Sequence, residues 1–336
     1  MKICVVGGTG NISSAFIEPL LQKGHHVTLF NRGRFGSTPT PVHVKLIQGD
    51  RDDREAFERV MQEHKFDAAI DMICFNKEDA ASDLRAFRGV SHFVFTSTVC
   101  VYGLQYDWLP VTEDHPLRPV TLYGSQKAEA EKTFLEAYYK DDFPVTIIRP
   151  STTFGPIQGA LRQIGSDFSW IDRVRKGKPV VVCGDGLALH QFLHVDDAAL
   201  CFANIIGREN CIGQTYNMTK RGFTTWRDYH LIANAVLGKQ CELIGVPLDV
   251  LETWDIPGFD LCKEIFAHNV FYNSEKLFRD VPEFSPTISL AEALDSTFKA
   301  MDRSGRIPDS DTLTWEDELI KAMAQVRREA FLKKEH

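Results

Sequence analysis

Short apolar runs alternate with longer amphipathic stretches along the first half of the chain. The run KICVVGG at 2–8 is apolar and β-branched, and SSAFIEPLLQKG at 13–24 then places apolar residues at helical spacing. Further strands are expected at 26–30, 44–50, 66–73 and 92–98, with helices at 53–65 and 77–88. Because the strands are apolar on both faces and alternate with helices, we predict an α/β fold with a doubly wound parallel sheet.

The pattern loosens after residue 155, where glycine and proline interrupt most apolar runs. Sheet and helix signals return at 191–207, and an amphipathic helix is expected at 314–334. We therefore predict two interleaved domains. Residues 1–155 with 189–217 would form the sheet domain, and residues 156–188 with 218–336 would form a smaller α+β lobe for the substrate.

The composition is that of a soluble globular protein, with 336 residues, of which 43% are apolar and 25% charged. The formal net charge of −8 disfavours nucleic acid as a partner, and no apolar run is long enough to cross a membrane. Eight cysteines are scattered without a paired motif, so we expect reduced thiols in a cytoplasmic protein. The histidines and carboxylates show no metal-ligand spacing.

Glycines mark the junction between the first predicted strand and the first predicted helix. In VVGGTGNISSAF at 5–16, Gly7 and Gly10 permit a tight turn and a close approach to phosphate, which the helix N-terminus also attracts. Ser13 stands where a third glycine is usual, and it is small enough to keep helix and strand close. An ordinary glycine turn is the alternative, but the position in a β-α-β series favours a Rossmann-type dinucleotide site.

The second strand ends in Asn31 and Arg32, where NAD-binding proteins usually carry an acidic residue for the ribose hydroxyls. The missing carboxylate removes repulsion against a 2′-phosphate and a guanidinium binds phosphate, so we favour NADP over NAD. An ordinary loop position for Arg32 is the alternative. In GDRDD at 49–53, Asp50 is a candidate acceptor for the adenine amino group and Arg51 a candidate to stack on the ring, although this segment also suits a helix cap.

Hydroxyl groups follow the strand predicted at 92–98. The stretch VFTSTVCVYG at 94–103 begins as core and then runs into threonine, serine and cysteine. Tyr123 and Lys127 lie four residues apart on a predicted helix and so share one face. A nearby ammonium stabilises a phenolate, which would let Tyr123 exchange a proton near neutral pH. A tyrosine and a lysine four residues apart are common on amphipathic helices. The pair indicates a catalytic site only in combination with the hydroxyl groups at the end of the preceding strand.

Six segments follow one another in a recognisable order. They are GGTGNI at 7–12, GDRD at 49–52, TSTVCVYG at 96–103, YGSQK at 123–127, RPSTTFGP at 149–156 and FLHVDDAA at 192–199. Their order and spacing resemble those of extended short-chain dehydrogenases/reductases of the NAD-dependent epimerase/dehydratase family. The resemblance covers nearly the whole chain, and six ordered segments are far more specific than any single one.

The resemblance implies a role for each matching side chain. Tyr123 would remove the proton of a substrate hydroxyl while hydride passes from the same carbon to the nicotinamide. Thr98 would hydrogen-bond the reacting oxygen, and Lys127 would hold the cofactor ribose and tune Tyr123. The further cofactor contacts that it implies are Gly7, Thr9, Gly10, Asn11, Ile12, Asp71, Met72, Thr96 and Pro150.

Two positions depart from the sugar-nucleotide 4,6-dehydratases of this family. An Asp-Glu pair follows the catalytic threonine in those enzymes, whereas Val99 and Cys100 stand here, so we do not expect 4,6-dehydration. Cys100 has the spacing of a catalytic cysteine in some 3,5-epimerases of the family, where it would move a proton beside a ketone. A small apolar filler is the alternative for Cys100.

The substrate side also departs from the nucleotide-sugar enzymes of the family. His190 stands where those enzymes usually carry an arginine against the diphosphate, and Thr152 and Thr153 stand where asparagine is frequent. The candidate substrate contacts are Thr98, Thr152, Thr153 and His190, although a lone histidine could equally be structural. These changes weaken the expectation of a nucleotide-sugar substrate.

Two classes of function stay open. The first is an epimerase or oxidoreductase acting on a hydroxyl or ketone of a sugar, nucleotide sugar or related polyol, including an NADP-dependent reductase of a substrate without a nucleotide. The second is a non-catalytic relative that senses nucleotides or binds RNA, which the net charge and the intact Thr98, Tyr123 and Lys127 disfavour. The resemblance further implies a homodimer through the helix that carries Tyr123. Its apolar residues, which also suit packing on the sheet, are Ala128, Phe134, Leu135 and Tyr138.

Overall fold

The computed structural model describes residues 1–33 and 44–332. Its strands are β1 Lys2–Val6, β2 His26–Asn31, β3 Lys45–Gln48, β4 Ala68–Asp71, β5 His92–Thr96, β6 Val145–Pro150, β7 Thr152–Phe154, β8 Val180–Cys183, β9 Leu189–His190, β10 Phe192–His194, β11 Thr215–Met218, β12 Thr224–Thr225 and β13 Leu243–Val246. Its α-helices are α1 Asn11–Gln22, α2 Arg54–His64, α3 Lys77–Ala86, α4 Leu122–Asp141, α5 Ser169–Arg175, α6 Val195–Ile205, α7 Trp226–Val236, α8 Leu248–Leu251, α9 Glu275–Asp280, α10 Leu290–Arg303 and α11 Trp315–Leu332. Shorter turns of helix are 3₁₀ at Val99–Tyr102, Glu209–Cys211 and Ser310–Thr312, and π at Cys262–Phe266.

Seven strands form one parallel sheet in the order β11-β6-β5-β4-β1-β2-β3. This order confirms the predicted doubly wound α/β fold of the Rossmann type. Strand β1 shows why both faces are covered. Ile3 and Val5 join one core with α1 and α6, whereas Cys4 and Val6 join another with α2, α3 and α4. All four are buried because successive side chains on a strand point to opposite faces.

The strand order reverses between β1 and β4. Strands β2 and β3 extend the sheet on one side of β1, and β4, β5 and β6 extend it on the other. The helices that follow β1 and β4 therefore lie on opposite faces of the sheet, and doubly wound sheets bind ligands in the crevice at this point. The glycine turn follows β1, so the fold brings it to this crevice.

Helix α4 brings the predicted catalytic pair, Tyr123 and Lys127, close to the glycine turn at the carboxyl ends of the strands. Its first turn is fixed by Thr121, whose side chain accepts a hydrogen bond from the Gly124 N–H at 2.9 Å. Tyr123 therefore lies in the first turn, and Lys127 lies one turn later. Further along the helix, Phe134 is buried against Phe93 and Phe95 of β5, with ring centroids 5.2 and 4.9 Å away. Part of the apolar face of α4 thus packs on the sheet, and the homodimer stays a prediction.

The described residues divide into two compact units. The first contains the described part of 1–158, together with 191–222 and 271–288, and the second contains 159–190, 223–270 and the chain from 289 onward. The sequence-based boundaries at 155, 189 and 217 lie within five residues of these divisions. Residues 271–288 fold with the first unit, although the sequence placed them in the lobe. One contact that joins this segment to the first unit is a hydrogen bond of 2.7 Å, which the Gln191 Oε1 accepts from the Tyr272 N–H.

The second unit is held by short strand pairs and a buried ion pair. Strand β8 pairs with β13, and β9 pairs with β12. Arg162 donates to Glu316 at 2.9 Å, and the second oxygen of that carboxylate accepts from the Val181 N–H at 2.7 Å. Within residues 1–33 and 44–332, no helix has the length and hydropathy to span a membrane, and no three His, Cys, Asp or Glu side chains are grouped to hold a metal ion.

Candidate active site

The glycine turn after β1 packs directly against the loop after β4. Gly7 has a φ of +85°, and a Cβ atom there would lie 2.6 Å from Cγ2 of Ile73, closer than side chains approach one another. Ser13, in place of the third glycine, donates to Gly7 O at 3.0 Å and accepts from the Gly10 N–H at 2.9 Å. The turn therefore requires glycine at position 7, and Ser13 stabilises the turn.

Two cavities meet at this turn. Their volumes are about 410 and 420 Å³, and Gly7, Gly10 and Ile73 line both. Volumes of this size are typical of ligand sites, and two cavities that share one glycine turn suit an elongated dinucleotide. The first cavity is also lined by Thr9, Phe30, Asn31, Arg32, Gly49, Asp50, Arg51, Asp52, Phe75 and Asp79. The second is also lined by Asn11, Ile12, Ser13, Met72, Thr96, Ser97, Thr98, Tyr123, Lys127, Pro150, Ser151, Thr153 and Gln158.

Apart from Asp71, the residues predicted to contact the cofactor all line one of these two cavities. The predicted ribose and adenine contacts lie along the first cavity, and the predicted catalytic residues Thr98, Tyr123 and Lys127 lie along the second. The structure thus brings together side chains that are far apart in the sequence. Their individual roles stay predictions, and the geometry of each follows.

Asn31 and Arg32 offer hydrogen-bond donors and no carboxylate to the first cavity. The Asn31 Oδ1 accepts from the Gly33 N–H at 2.8 Å, so the amide is oriented with Nδ2 as its remaining donor. That nitrogen is buried and has no hydrogen-bond partner among the residues the structure describes. Because a buried donor without a partner destabilises the protein, this position fits an acceptor from a bound ligand. The Arg32 side chain nearby is exposed.

Arg51 is only 5% exposed and lies in a cluster of carboxylates. Its guanidinium pairs with Asp71 and, at 2.9 Å, with Asp83, and its Nε lies 3.6 Å from Asp79. Burial raises the pKa of the Asp83 carboxyl well above its usual range, and Asp71 adds to this effect while Arg51 opposes it. These ion pairs favour a structural role for Arg51, and its stacking on adenine stays a prediction.

Asp71 shapes the loop after β4 and lines neither cavity. Its fully buried carboxylate accepts from the N–H groups of Ile73 and Cys74 at 2.6 and 2.8 Å. These bonds hold Ile73 against the glycine turn, where it lines both cavities. Asp71 thus shapes the cavity through this loop, and its direct contact with the cofactor, which the resemblance implied, stays a prediction.

Tyr123 and Thr98 face each other on the wall of the second cavity, with Cys100 close by. Burial raises the pKa of Tyr123 to about 12, Cys100 adds to this effect, and a hydrogen bond with the Thr98 side chain opposes it. The phenol therefore holds its proton at neutral pH in the free protein. The residue is 44% exposed and forms part of the cavity wall.

Lys127 is buried beside Tyr123 and held by backbone carbonyls. Its Nζ donates to the carbonyl oxygens of Cys74 and Thr96, both at 2.7 Å, and lies 5.8 Å from the centroid of the Tyr123 ring. Burial lowers the pKa of the Lys127 ammonium, although Cys74 and other groups nearby oppose this. The ammonium has three donors, so one remains after these two bonds. Its position is fixed between the loop after β4 and the end of β5.

The predicted substrate residues are not all exposed to a cavity. Thr153, on β7, lines the second cavity, and its neighbour Thr152 is half-buried on the same strand. His190 belongs to the second unit, is 1% exposed, and lies 4.9 Å from Trp226 and 5.0 Å from Phe266 between ring centroids. Burial lowers the pKa of His190 to about 3. This packing favours the structural alternative, and a substrate role for His190 stays a prediction.

Several lining residues were not among the candidates drawn from the sequence. Ile73 and Phe75 follow β4, and Ser97 follows β5, so their positions after predicted strands offered a signal. Gln158 gave no such signal, because it reaches the cavity from an irregular segment. Its backbone N–H donates to the Asn11 Oδ1 at 3.1 Å, a contact between residues that are 147 positions apart.

The fold and this site define an NAD(P)-dependent enzyme, with a dinucleotide crevice and a tyrosine-lysine pair on its wall. The sequence matches the model of the NAD dependent epimerase/dehydratase family over residues 3–219, and the chain belongs to this family. The resemblance stated from the sequence is therefore confirmed. Relatives of the chain include epimerases, reductases and dehydratases.

Two curated relatives and one solved structure illustrate the range of similarity. The 2′-dehydrokanamycin reductase of Streptomyces kanamyceticus is 28% identical over 249 residues, which cover 74% of this chain and 70% of that protein. The chloroplast stem-loop binding protein of 41 kDa b of Arabidopsis thaliana is 24% identical over 318 residues, which cover 88% of this chain and 78% of that protein. The UDP-glucuronic acid 4-epimerase of Bacillus cereus, in complex with UDP-glucuronic acid and NAD, has a TM-score of 0.72 and 20% identity, covering 90% of this chain and 100% of that chain. This structural likeness shows the fold.

Proposed function

We propose that this chain is an NADP-dependent oxidoreductase that interconverts a ketone and a secondary hydroxyl on a sugar or related polyol. The bound nicotinamide would exchange hydride with the reacting carbon. Tyr123 would give the oxygen its proton in reduction and remove it in oxidation, and Thr98 would hydrogen-bond the same oxygen. The observation that carries the proposal is that Thr98, Tyr123 and Lys127 line one cavity together with the glycine turn.

The protonation state of Tyr123 supports the reductive direction. Reduction of a ketone leaves an oxyanion that needs a proton, and a phenol whose pKa is about 12 carries one at neutral pH. The ammonium of Lys127, 5.8 Å from the ring, would stabilise the phenolate that remains. The third donor of Lys127 would bind a ribose hydroxyl of the cofactor. Pro150 would line the nicotinamide side of the same cavity.

Asn31 and Arg32 support a preference for NADP over NAD. Neither is negatively charged, and the Asn31 Nδ2 donor is buried with no partner in the described part of the chain. The exposed Arg32 guanidinium is suited to pair with a 2′-phosphate. An acidic residue at this position would instead accept from the ribose hydroxyls and repel the phosphate. Asp50 lines the same cavity, where an acceptor suits the adenine amino group.

We further propose a substrate without a nucleotide, and not a 4,6-dehydration. Val99 and Cys100 occupy the places of the dehydratase acid-base pair, and His190 replaces the arginine usual against a diphosphate. One relative with 28% identity is a reductase named for 2′-dehydrokanamycin, which supports reduction of a ketone on a sugar-like ring. Thr153 lines the second cavity, and its hydroxyl would offer a contact for such a ring.

Cys100 favours a second candidate, an epimerase. The cysteine lies close enough to Tyr123 to raise its pKa, so it could move a proton on a carbon beside a transient ketone. Turnover in deuterated water separates the two candidates. An epimerase of this kind would place deuterium on that carbon and lose the exchange in Cys100→Ser, whereas the reductase would leave every carbon-bound hydrogen of the substrate unexchanged.

The direct test measures NADPH and NADH oxidation with keto sugars that do and do not carry a nucleotide. We expect turnover with NADPH and a nucleotide-free ketone, and a loss of about 100-fold or more in Tyr123→Phe, because the general acid is removed. Tyr139→Phe is the matched control, since Tyr139 lies on the same helix and is 77% exposed. Wild-type turnover by Tyr123→Phe would refute the proposal. RNA binding without turnover of any ketone would favour the non-catalytic class.

A further inference from the structure

A buried ion pair behind the second cavity joins two elements that carry active-site residues. Arg149 lies on β6 next to Pro150, and Glu131 lies on α4 one turn after Lys127. The Arg149 Nε and Nη2 donate to the two carboxylate oxygens at 2.9 and 2.5 Å, and both side chains are buried. A bidentate pair of this kind fixes orientation as well as distance.

This ion pair anchors both ends of segment 97–102, which follows β5. At one end, the Ser97 hydroxyl donates to the Glu131 Oε1 at 2.5 Å. At the other end, the Arg149 Nη1 donates to the Tyr102 hydroxyl at 2.6 Å. The residues between the two anchors include the threonine and the cysteine that lie beside Tyr123.

The end of β5 also contacts α4 directly. Two consecutive residues at this strand end, Thr96 and Ser97, bind two α4 residues that lie one turn apart. The Thr96 carbonyl accepts from the Lys127 Nζ at 2.7 Å, and the Ser97 hydroxyl donates to the Glu131 carboxylate at 2.5 Å, while Thr98 lines the second cavity together with Tyr123. The Ser97–Glu131 contact involves no group proposed to react, and Ser97 lies between Thr96 and Thr98 in the sequence.

A hydrogen bond within segment 97–102 fixes the Thr98 side chain relative to that segment. Its Oγ1 accepts from the Cys100 N–H at 3.2 Å and caps the 3₁₀ helix Val99–Tyr102. The position of this hydroxyl therefore follows the position of the segment, and a shift of the segment would move it relative to Tyr123. Misplacement of a reacting group by about 1 Å can lower a rate by about 100-fold.

We propose that Ser97, Glu131 and Arg149 are positioning residues that hold Thr98 in register with Tyr123 for proton transfer. This inference rests on the proposed function. The Ser97 hydroxyl is bonded to the Glu131 carboxylate, so it acts through the segment that it anchors. The ion pair supplies the fixed point, because it bonds to Ser97 and Tyr102 together.

Ser97→Ala is the test, and the chain offers a closely matched control in Ser82→Ala. Ser82 is also buried, and it donates at 2.7 Å to Glu58, whose carboxylate is in turn bonded by Arg85 at 2.7 and 2.8 Å. Both variants remove one serine bond to a glutamate that an arginine pairs, but Ser82 lines neither of the two cavities. Thermal unfolding midpoints, kcat and the Kd for NADPH are measured for both.

We expect kcat of Ser97→Ala to fall about 10- to 100-fold, with the Kd for NADPH within about threefold of wild type. Ser82→Ala should leave kcat within about twofold. The pH profile adds a readout that a loss of stability alone would not move. Because the Thr98 bond lowers the pKa of Tyr123, loosening it raises that pKa and shifts the alkaline limb of kcat for reduction to higher pH.

Tyr102→Phe removes the second anchor and keeps the ring, and it provides the test if Ser97→Ala does not fold. We expect a loss of kcat in the same direction. The inference is overturned if kcat and the pH profile of Ser97→Ala, or of Tyr102→Phe, match those of Ser82→Ala. Tyr123→Phe, assayed in parallel, distinguishes failure of the positioning role from failure of the proposed function. Normal turnover in Tyr123→Phe refutes the proposed function, whereas its loss together with normal turnover in Ser97→Ala refutes only the positioning role.

Discussion

The substitution Asn31→Asp would change the chemistry of the first cavity with almost no change in its shape. Aspartate is isosteric with asparagine, and its Oδ1 would still accept from the Gly33 N–H, which is at 2.8 Å in the wild type. The turn after β2 is therefore preserved. What changes is the buried Nδ2, which becomes a carboxylate oxygen. A donor is thus exchanged for a negatively charged acceptor at a fixed place.

The expected change in NADPH affinity combines one lost hydrogen bond with one new repulsion between like charges. A hydrogen bond from Nδ2 to a phosphate oxygen contributes about 1.5–3 kcal/mol, and the variant loses it. Two like charges about 4 Å apart repel by about 1 kcal/mol in water and about 4 kcal/mol at an effective dielectric constant of 20. Asn31 is half-buried, so intermediate values apply to both effects, and we expect about 4 kcal/mol in total, or a Kd for NADPH raised about 1,000-fold. NADH lacks the phosphate, and the new carboxylate can accept from its ribose hydroxyls, so its Kd should fall.

Isothermal titration calorimetry with NADPH and NADH measures both effects, and thermal unfolding checks that the variant is folded. Arg32→Ala is the companion variant. It should weaken NADPH about tenfold, as expected for the loss of one exposed charged bond, and leave NADH unchanged. Tight NADPH binding by Asn31→Asp, or a wild-type preference for NADH, would refute the assignment of this cavity to the 2′-phosphate.

Three further predictions concern the turn and the core. Gly7→Ala should abolish NADPH binding in calorimetry because its Cβ would lie 2.6 Å from Ile73, whereas Gly24→Ala, at a φ of +77° with open space around it, should bind normally. Ser13→Gly should lower stability to urea by about 1 kcal/mol, since it removes the hydroxyl that bridges the turn, and leave the Kd for NADPH unchanged. Burial lowers the pKa of His92 from 6.5 to about 4, so the unfolded chain takes up a proton between these pH values that the folded chain does not. Stability should therefore fall by about 3 kcal/mol as pH is lowered through this window, and urea unfolding of His92→Gln should show a shallower fall.

The elements that the sequence predicted well are those that depend on local spacing. The glycine turn needs only a strand, a tight turn and a helix in succession, and Gly7 with its positive φ bears this out. Tyr123 and Lys127 share a face because four residues are close to one helical turn. The buried faces of β1 follow from the period of two along a strand.

Contacts between distant elements were not predicted. Arg51 lines the first cavity as the sequence predicted, but its ion pairs with carboxylates on β4 and α3 were not predicted. The bond between Ser97 and Glu131 spans 34 residues, and neither residue carries a local signal of its partner. Residues 271–288 join the first unit through hydrogen bonds such as that from the Tyr272 N–H to the Gln191 side chain, which hydrophobic spacing does not predict. Periodicity gives the faces of an element, whereas the partner of a polar group is set by the assembled fold.

Transfer of a label from NADPH tests the central claim most directly. The protein would be incubated with NADPH carrying deuterium at the transferable hydride position and with a nucleotide-free keto sugar, and the product analysed by mass spectrometry. The account predicts one deuterium in the alcohol formed by wild type and by Tyr139→Phe, and transfer that is slower by about 100-fold or more in Tyr123→Phe, which should still bind NADPH. Deuterium transfer by Tyr123→Phe at the wild-type rate would contradict the account, as would a wild-type protein that binds neither NADPH nor NADH.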